Sequence, residues 1–427
     1  MKLTDLEKAM LDGAHGKGVQ KAMELNLRYA EALGAEEFVE VASAGGYLID
    51  RNITPRCVPG SPELDIPFQE MLSTHYLDSD EVVEIPHVCV PSFHVETCID
   101  ERNYAEQGYA EAHRDRYRNN LKFLADIGVQ LLCTCTPYLA GRVPVLGQHV
   151  CWMESSAVVY INSIYGARTN CEGNQSAFAA MLTGRTPNWG YHLDENRLGT
   201  HLIRVETDVN DMKEWGLLGY FAGKLVADKV PVIDGIRSVP ELDMLKNFGA
   251  AAASSGGVEL YHIPGLTAEM HTVEQAFGGR KPAAEVVYGK AERDAAYEQL
   301  NCTGRSQDVD FVMVGCPHCS IDQLRELAIL LDGKRVSDHV NMWVFASESV
   351  RHAAERCGYT QIIERAGAKV MIDTCPALGQ FVPKGTTSMV TNSAKQAHYL
   401  PNFKGIGAWY GDIHDCVNAA VSGKWRG

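Results

Sequence analysis

Short apolar segments alternate with amphipathic helical patterns through most of this chain. They recur about every 30 residues, which is the usual length of a strand–helix unit. The segments are apolar throughout instead of alternating with polar residues, as is typical of strands buried on both faces. Parallel sheets covered by helices on each side have this pattern. The predicted strands are residues 129–135, 201–207, 230–236, 258–264, 311–315, 340–346, 369–373 and 387–391.

The chain therefore has the pattern of an α/β protein. Its 427 residues are enough for two or three packed domains at roughly 150 residues each. Boundaries are expected near residues 200 and 300, where no linker interrupts the chain. This division predicts an N-terminal domain over residues 1–200 with polar loops, a second domain over 201–300, and a third over 301–427.

The charge of the chain bears on its possible partners. Lys plus Arg is 39 against 54 for Asp plus Glu, a formal charge of −15. Such a surface repels nucleic-acid phosphates and anionic membranes, so neither is expected as a partner. The N-terminus has no apolar signal region, and Thr4 and Glu7 form a capping-box pattern that opens a helix. We therefore expect a cytoplasmic protein.

The thirteen cysteines are not expected to form disulfides in a reducing compartment. Three of them stand where predicted strands end: Cys135 ends segment 129–135, Cys316 follows 311–315, and Cys375 follows 369–373. Ligands bind beyond the carboxyl ends of strands in open parallel sheets. Proline comes one or two residues after each thiol, which stops the strand and fixes the turn. These three thiols are therefore candidates for one shared site.

Several interpretations of the three thiols remain open at this stage. Free cysteines are often simply buried apolar residues. The spacing Cys316-x-x-Cys319 could be half of a zinc site or a redox pair. A capping box at Ser320 and Gln323 places Cys316 near a helix N-terminus, where a thiolate nucleophile is favoured. Finally, three thiolates from separate loops can hold an iron–sulfur cluster with one iron left open as a Lewis acid.

Polar residues follow a helix that we expect to be capped by Ser155 or Ser156 and to continue through Tyr165. Arg168, Thr169 and Asn170 come directly after it. An arginine there can bind a substrate carboxylate through two parallel hydrogen bonds. The alternative is that Arg168 only complements the negative end of the helix dipole.

Two further segments carry candidate side chains. The charged loop 182–197 contains His192, which could act as an acid, a base or an orienting group, although charged loops are usually just solvated. Segment 391–402 places Ser393, Lys395 and His398 beyond predicted strand 387–391. Lys395 could bind an anionic substrate group, whereas Ser393 can be explained as the cap of the next helix alone.

Seven segments together resemble the large subunit of the aconitase X family, within the aconitase superfamily. The resemblance runs from about residue 3 to residue 403, and several of its segments are long and specific. The matching segments read LTDLEKAMLDGAHGKGVQKAM, CTCTPYLAG, ESSAVVYINSIYGARTNCEG, TGRTPNWGYHLDENR, GCPHCS, DTC and TNSAKQAHYLPN.

The resemblance implies three α/β/α domains with mostly parallel sheets around a central cleft. It also implies that the mobile swivelling domain is a separate small subunit, the expected partner. The activity implied is that of an iron–sulfur hydro-lyase, with a 4Fe-4S cluster and one open iron. Known substrates of the family are cis-3-hydroxy-L-proline and mevalonate 5-phosphate. Because no glycine-rich phosphate loop is evident, we expect the first, with the second as the alternative.

The matching segments indicate which residues of this chain correspond to the functional residues of the family. The resemblance implies that the cluster ligands are Cys135, Cys316 and Cys375. It implies that Arg168, Thr169, Asn170 and His398 bind the substrate. Catalytic candidates are His192, Lys395 and Ser393, although in aconitases a serine of the swivelling domain acts as the base, so by analogy that base comes from the small subunit.

The chain departs from the family pattern at four places. Residues 91–100 read PSFHVETCID where an Asn-Pro-Ala-Gly-Met-Asp-like segment is usual, and Gly45 stands where a histidine is usual. Cys171 replaces a common arginine, and Cys319 is extra. The first two departures lie where substrate specificity can be set. A non-catalytic metal-binding subunit and a cofactor-free enzyme with Cys316 as nucleophile are the alternatives from other functional classes.

Overall fold

A computed structural model describes residues 1–48, 66–379 and 381–427. The strands in these ranges form four sheets, three of them entirely parallel and one an antiparallel pair. In chain order the strands are β1 (Phe38–Glu40), β2 (Ala44–Gly46), β3 (Ser92–His94), β4 (Val129–Gln130), β5 (Cys151–Trp152), β6 (Arg185–Pro187), β7 (His201–Val205), β8 (Pro231–Asp234), β9 (Ala284–Tyr288), β10 (Phe311–Val314), β11 (Asn341–Ala346), β12 (Lys369–Ile372), β13 (Ser388–Thr391) and β14 (Gly407–Tyr410).

Helices separate most of the strands. The capping boxes predicted at Thr4 and at Ser320 are both present. The helices are α1 (Asp5–Leu11), α2 (Lys17–Leu33), α3 (Phe68–Met71), α4 (Glu111–Asp126), α5 (Ser155–Tyr160), α6 (Asn174–Thr183), α7 (Met212–Val226), α8 (Leu242–Ser255), α9 (Val273–Phe277), α10 (Lys290–Asn301), α11 (Ile321–Leu331), α12 (Glu348–Arg356), α13 (Tyr359–Arg365), α14 (Pro376–Gly379), α15 (Ala394–Lys404) and α16 (Ile413–Ser422). No helix in the described ranges has both the length and the apolar character needed to cross a bilayer.

The five-stranded sheet near the C-terminus has the order β12-β11-β10-β13-β14, with every pair parallel. Its central strand β10 is buried along its whole length. Val312 and Val314 pack into one apolar cluster, whereas Phe311 and Met313 pack into another on the opposite face. Burial on both faces explains why this strand is apolar at consecutive positions. The predicted α/β architecture with mostly parallel sheets is confirmed.

The three-stranded sheet has the order β8-β7-β9 and is also parallel. The prediction of a strand over 258–264 is wrong, because this segment forms only an isolated bridge between His262 and Val232. Side chains take the place of a strand partner: the Asn162 amide donates to the Glu259 carbonyl (2.9 Å), and the Tyr261 N–H donates to Ser163 Oγ (3.0 Å). The sheet instead includes β9, which we did not predict.

The N-terminal parallel sheet has the order β4-β3-β2-β5, and each of its strands has only two or three residues. Gly45 in β2 lies directly under the ring of Phe93 in β3. A Cβ at residue 45 would stand 2.1 Å from Phe93 Cζ. The glycine is therefore required by a close approach within the sheet.

Two local predictions near the site need correction. The strand expected over 129–135 ends at Gln130, because Cys133 has a left-handed backbone (φ +48°) that turns the chain. Cys135 consequently lies in a loop beyond the strand. Helix α5 is capped by the Glu154 carboxylate, which accepts from the Ser156 N–H (3.3 Å), and not by the Ser155 or Ser156 side chain.

Candidate active site

The site is built where the carboxyl edges of two parallel sheets meet. From the N-terminal sheet, Tyr47 follows β2, Glu96 follows β3 and Glu154 follows β5. The five-stranded sheet contributes residues that follow β10, β12 and β13. Carboxyl ends of parallel strands are where such sheets bind ligands. The residues of the two edges that concern the site are Tyr47, Glu96, Cys135, Glu154, Cys316, Cys375, Ser393 and Lys395.

The structure brings the three strand-end thiols together. Cys135, Cys316 and Cys375 are each at most 8% exposed. Burial is the main cause that raises the pKa of Cys135 and of Cys375, and charge on Cys316 raises both further. Cys316 therefore lies within electrostatic range of both Cys135 and Cys375, although the three come from distant parts of the chain.

His318 connects the loops that carry the thiols. Its backbone N–H donates to Cys135 Sγ (3.2 Å), and its Nε2 donates to the Thr374 carbonyl (2.9 Å). Nδ1 accepts from the Thr134 hydroxyl at 2.9 Å, as a neutral imidazole with a proton on Nε2 requires. Burial lowers the pKa of His318 to about 4, so the ring stays neutral. Sequence reasoning missed this role, since only the adjacent thiols drew attention.

Each of the three sulfurs accepts an N–H hydrogen bond. Besides the His318 bond to Cys135, the Gln396 side chain donates to Cys316 Sγ (3.0 Å) and the Leu378 backbone donates to Cys375 Sγ (3.4 Å). Such bonds stabilise negative charge on sulfur and tune bound iron–sulfur groups. Burial raises the pKa of all three thiols, whereas a coordinating metal deprotonates a thiol.

A single metal ion and an iron–sulfur cluster require different arrangements of thiols. In the described part of the chain, no group of three or more His, Cys, Asp or Glu could hold one metal ion. In an iron–sulfur cluster the thiolates bind separate irons, so they need not converge on one point. Cys319 is buried in the apolar cluster on the face opposite Cys316. This arrangement argues against a zinc or redox role for the pair Cys316 and Cys319.

A buried polar network lies beside the thiols. The Tyr47 hydroxyl bonds both to Glu96 Oε1 (2.9 Å) and to Glu154 Oε2. Lys395 Nζ donates to Glu154 Oε1 (2.9 Å) and to Ser156 Oγ (3.0 Å). Charge on Glu96 raises the pKa of Cys135 and Cys375 after burial, whereas Lys395 lowers that of Cys316. The network and the thiols thus share one site.

The two carboxyls of this network differ in protonation. Burial raises the pKa of Glu96 to about 8, the charge on Glu154 raises it further, and Lys395 opposes the rise. Burial also opposes ionisation of Glu154, but Lys395 and Tyr47 outweigh it and lower the pKa of Glu154. One hydroxyl proton cannot serve two carboxylates, so in the free protein Glu96 carries the second proton.

Three members of this network were missed by sequence reasoning. Tyr47 and Glu96 lie in or beside the two N-terminal segments that depart from the family pattern. Glu154 precedes a helix whose cap we had assigned to a serine. An unassigned acidic residue at the start of a polar segment was the available signal for Glu154, whereas nothing local pointed to Tyr47 or Glu96.

The residues expected to bind substrate form a neighbouring cluster. Arg168 donates to the His192 carbonyl (3.0 Å) and pairs with Asp194. Asn170 bonds to the backbone of residues 189 and 191. Thr169 Oγ1 donates to the Asn170 carbonyl (2.9 Å). The bonds of Arg168 and Asn170 hold loop 182–197 against the segment that follows Tyr165. No described contact joins this cluster to the three thiols directly.

A pair of histidines lies within the same cluster. His192 Nδ1 is 2.9 Å from His149 Nδ1, and the two rings stack. Burial lowers the pKa of His192 to about 3, with His149, Arg197 and Arg168 adding to the effect. His192 Nε2 is buried without a partner among the described residues. The ring is therefore neutral, and its Nε2 is open to a ligand.

A cavity of about 440 Å³ lies beside this cluster. Its lining includes Asn170, Cys171, Tyr191 and Glu259. Burial raises the pKa of Cys171, followed by charge on Glu259 and Glu154, and Lys395 opposes the rise. Cys171 is thus within electrostatic range of the network beside the thiols, so the two clusters are neighbours.

The remaining two predicted residues have different surroundings. Ser393 caps α15 by accepting from the Gln396 N–H (3.2 Å), and its side chain also lowers the pKa of Cys316, against burial as the main cause that raises it. His398 lies further along α15, where its Nδ1 is 3.0 Å from the Tyr220 hydroxyl on α7. Ser393 therefore faces the thiols, whereas no described contact joins His398 to them.

Comparisons with known proteins cover nearly the whole chain. Family models described as Aconitase X first, second and third domain match residues 1–195, 199–298 and 309–422. A Methanocaldococcus jannaschii protein named phosphomevalonate dehydratase large subunit is 35% identical, over 98% of this chain and 99% of the relative. A Pseudomonas aeruginosa cis-3-hydroxy-L-proline dehydratase is 33% identical, over 99% of this chain and 70% of the relative. The crystal structure of Thermococcus kodakaraensis aconitase X in its holo form is 29% identical, covers 98% of this chain and all of that one, and superposes with a TM-score of 0.82.

Proposed function

Because this chain belongs to the aconitase X family, we propose that it is the large subunit of an iron–sulfur hydro-lyase acting on a small hydroxy acid. Its relatives are named dehydratases, which are hydro-lyases. The observation that carries the proposal is the buried trio of thiols, each accepting an N–H bond, beside a polar network.

Cys135, Cys316 and Cys375 would hold the cluster. When bound, a cluster with one open iron supplies a Lewis acid for the hydroxyl that leaves. The chain's own residues would orient the substrate and compensate buried charge beside the thiols. Lys395 favours the ionised form of Glu154.

The cluster around Arg168 and His192 would supply substrate binding and proton transfer. Arg168, Thr169 and Asn170 would bind the substrate, with His398 as an outer contact. His192 offers a neutral nitrogen for proton transfer, and Ser393 and Lys395 are the catalytic candidates beside the thiols. By analogy with aconitases, the base that removes the substrate proton would come from the small subunit.

Charge favours cis-3-hydroxy-L-proline as the substrate. A phosphate needs several donors or cations, whereas the described network beside the thiols contains two carboxyls, and its Lys395 is already paired with Glu154. Mevalonate 5-phosphate remains the alternative, because relatives of similar identity carry that dehydratase name.

A second polypeptide completes the proposal. Several relatives are named large subunits, and this chain spans about 70% of the cis-3-hydroxy-L-proline dehydratases. We infer that a small subunit carrying the swivelling domain joins this chain in the cytoplasm. Within the chain, we propose domains over residues 1–200, 201–300 and 301–427.

The test is anaerobic co-expression with the small subunit, followed by iron and sulfide analysis and dehydration assays on both substrates. We expect absorbance at roughly 400–450 nm from iron–sulfur charge transfer. Serine at Cys135, Cys316 or Cys375 should abolish both colour and activity, whereas Cys319→Ser, a buried thiol outside the trio, should retain them. Colourless protein with stoichiometric zinc would instead indicate a non-catalytic metal-binding subunit. Activity that survives chelation and oxygen would indicate a thiol enzyme that uses Cys316.

A further inference from the structure

Glu96 has a carboxyl oxygen that nothing described in the protein contacts. The side chain is 3% exposed, and its Oε1 bonds to the Tyr47 hydroxyl at 2.9 Å. Its Oε2 is buried without a partner among the described residues. Buried polar atoms are nearly always hydrogen-bonded, and an unpaired one costs about 1–3 kcal/mol. This oxygen, beside a candidate active site, is therefore available to a donor group of a ligand.

Among the described residues, the network around Glu96 has one cation for two carboxyls. It contains two carboxyls, Glu96 and Glu154, and Lys395 is the cation that contacts it in the described structure. Lys395 Nζ bonds to Glu154 and Ser156 and has no described bond to Glu96. A buried carboxylate needs a cation or a proton. In the free protein a proton meets this need, and a cationic ligand group would take the proton's place.

The position of Glu96 fits contact with a substrate. It follows β3, beside Tyr47, which follows the neighbouring strand β2. After burial, the main cause, an ionised Glu96 would raise the pKa of Cys135 and of Cys375 further. Glu96 therefore lies within the polar network, at the edge where parallel sheets bind ligands.

We propose that Glu96 recognises a cationic amino group of the substrate, next to the carbon atoms that react at the thiol-bound centre. This rests on the proposed function, and it narrows the substrate class to hydroxy amino acids whose nitrogen is charged. One carboxylate–ammonium contact would supply both the cation for the Glu96 carboxylate and a hydrogen-bond donor for its Oε2. A phosphate in the same position would face the carboxyl and be repelled.

The test compares two ligands that differ at one atom. The first is cis-3-hydroxy-L-proline, and the second is cis-2-hydroxycyclopentane-1-carboxylate, in which a methylene replaces the ring nitrogen. Binding of each to the co-expressed holoenzyme is measured by calorimetry for the wild type and for Glu96→Gln, which keeps the shape and removes the charge. A charged hydrogen bond contributes about 1.5–3 kcal/mol, so we expect Glu96→Gln to weaken binding of the amine by roughly 10- to 100-fold and to leave the carbocyclic ligand unchanged.

Two controls exclude a structural effect. The visible absorbance and iron content of Glu96→Gln should equal those of the wild type, and Glu96→Asp, which retains the charge, should recover part of the preference for the amine. A wild type that binds both ligands equally, or a Glu96→Gln variant that keeps the preference, would overturn the inference. Turnover is measured separately: a wild type that prefers the amine without dehydrating it would contradict the proposed reaction and leave the recognition role standing.

Discussion

Lys246 should be a main support of the loop that carries Cys316. It lies on α8, in the middle part of the chain, and is 2% exposed. Its Nζ bonds to Asp243 Oδ1 (2.7 Å), Gln323 Oε1 (2.6 Å) and the His318 carbonyl (3.1 Å). All three donors of the ammonium are therefore used, and two of them fix the chain just beyond Cys316.

The substitution Lys246→Met keeps the aliphatic stem and removes the charge. Removing one partner of a buried ion pair typically costs about 3–5 kcal/mol, because the other charge stays buried without compensation. The Asp243 side chain is 17% exposed and also accepts from the Ser320 hydroxyl, so the lower end, about 3 kcal/mol, is expected. This corresponds to roughly 100-fold more frequent opening, at about 1.4 kcal/mol per factor of ten.

Hydrogen exchange followed by mass spectrometry measures this opening locally. Amides of residues 316–331 should lose protection by that factor, and holoenzyme prepared from the variant should contain less iron. The matched control is Lys122→Met on α4, where the lysine is 73% exposed and pairs with Asp126 four residues on. Exposed pairs of this kind contribute about 0.2–0.5 kcal/mol. If Lys246→Met costs no more than Lys122→Met, the reasoning about the buried ammonium is refuted.

Three further changes test the packing and the protonation states. Gly45→Ala should cost about 1–3 kcal/mol in urea unfolding, since its Cβ would clash with the buried Phe93 ring, and Phe93→Leu in the same chain should recover part of that loss. Thr134→Val leaves His318 Nδ1 without its donor and should destabilise the protein by about 1–3 kcal/mol, whereas an unchanged unfolding midpoint would argue against this hydrogen bond. The pKa of His192 is about 3 in the folded chain, below the usual 6.5, so the unfolded chain binds the proton more tightly and stability is lost as pH falls below about 6.5. Between pH 7 and pH 5 this residue should account for about 2 kcal/mol of that loss, and His192→Asn should lose correspondingly less across the same range.

Local physics made part of the fold predictable. Strands β10 to β13 are short, apolar and largely buried. Their continuous apolar segments between helical patterns are typical of a parallel sheet covered on both faces. The caps at Thr4, Ser320 and Ser393 depend on neighbours three residues away. Segment 258–264 has the same apolar character, yet it forms one isolated bridge, and Asn162 and Ser163 bond to its backbone. Those partners lie about a hundred residues away, so no local pattern could reveal them.

The order of residues along the chain was enough to identify the family motifs, the strand-end positions of the three thiols, and the helix caps, because each depends on neighbours in sequence. Tertiary structure alone decided that Tyr47, Glu96, Glu154 and Lys395 form one network, since they come from four separate segments. It also decided that Cys316 accepts from Gln396 near the site, whereas Cys319 packs into the apolar cluster on the other face of the sheet. The physical reason is that burial and charge compensation are set by which sheet edges meet, and that meeting is a property of the whole packed chain.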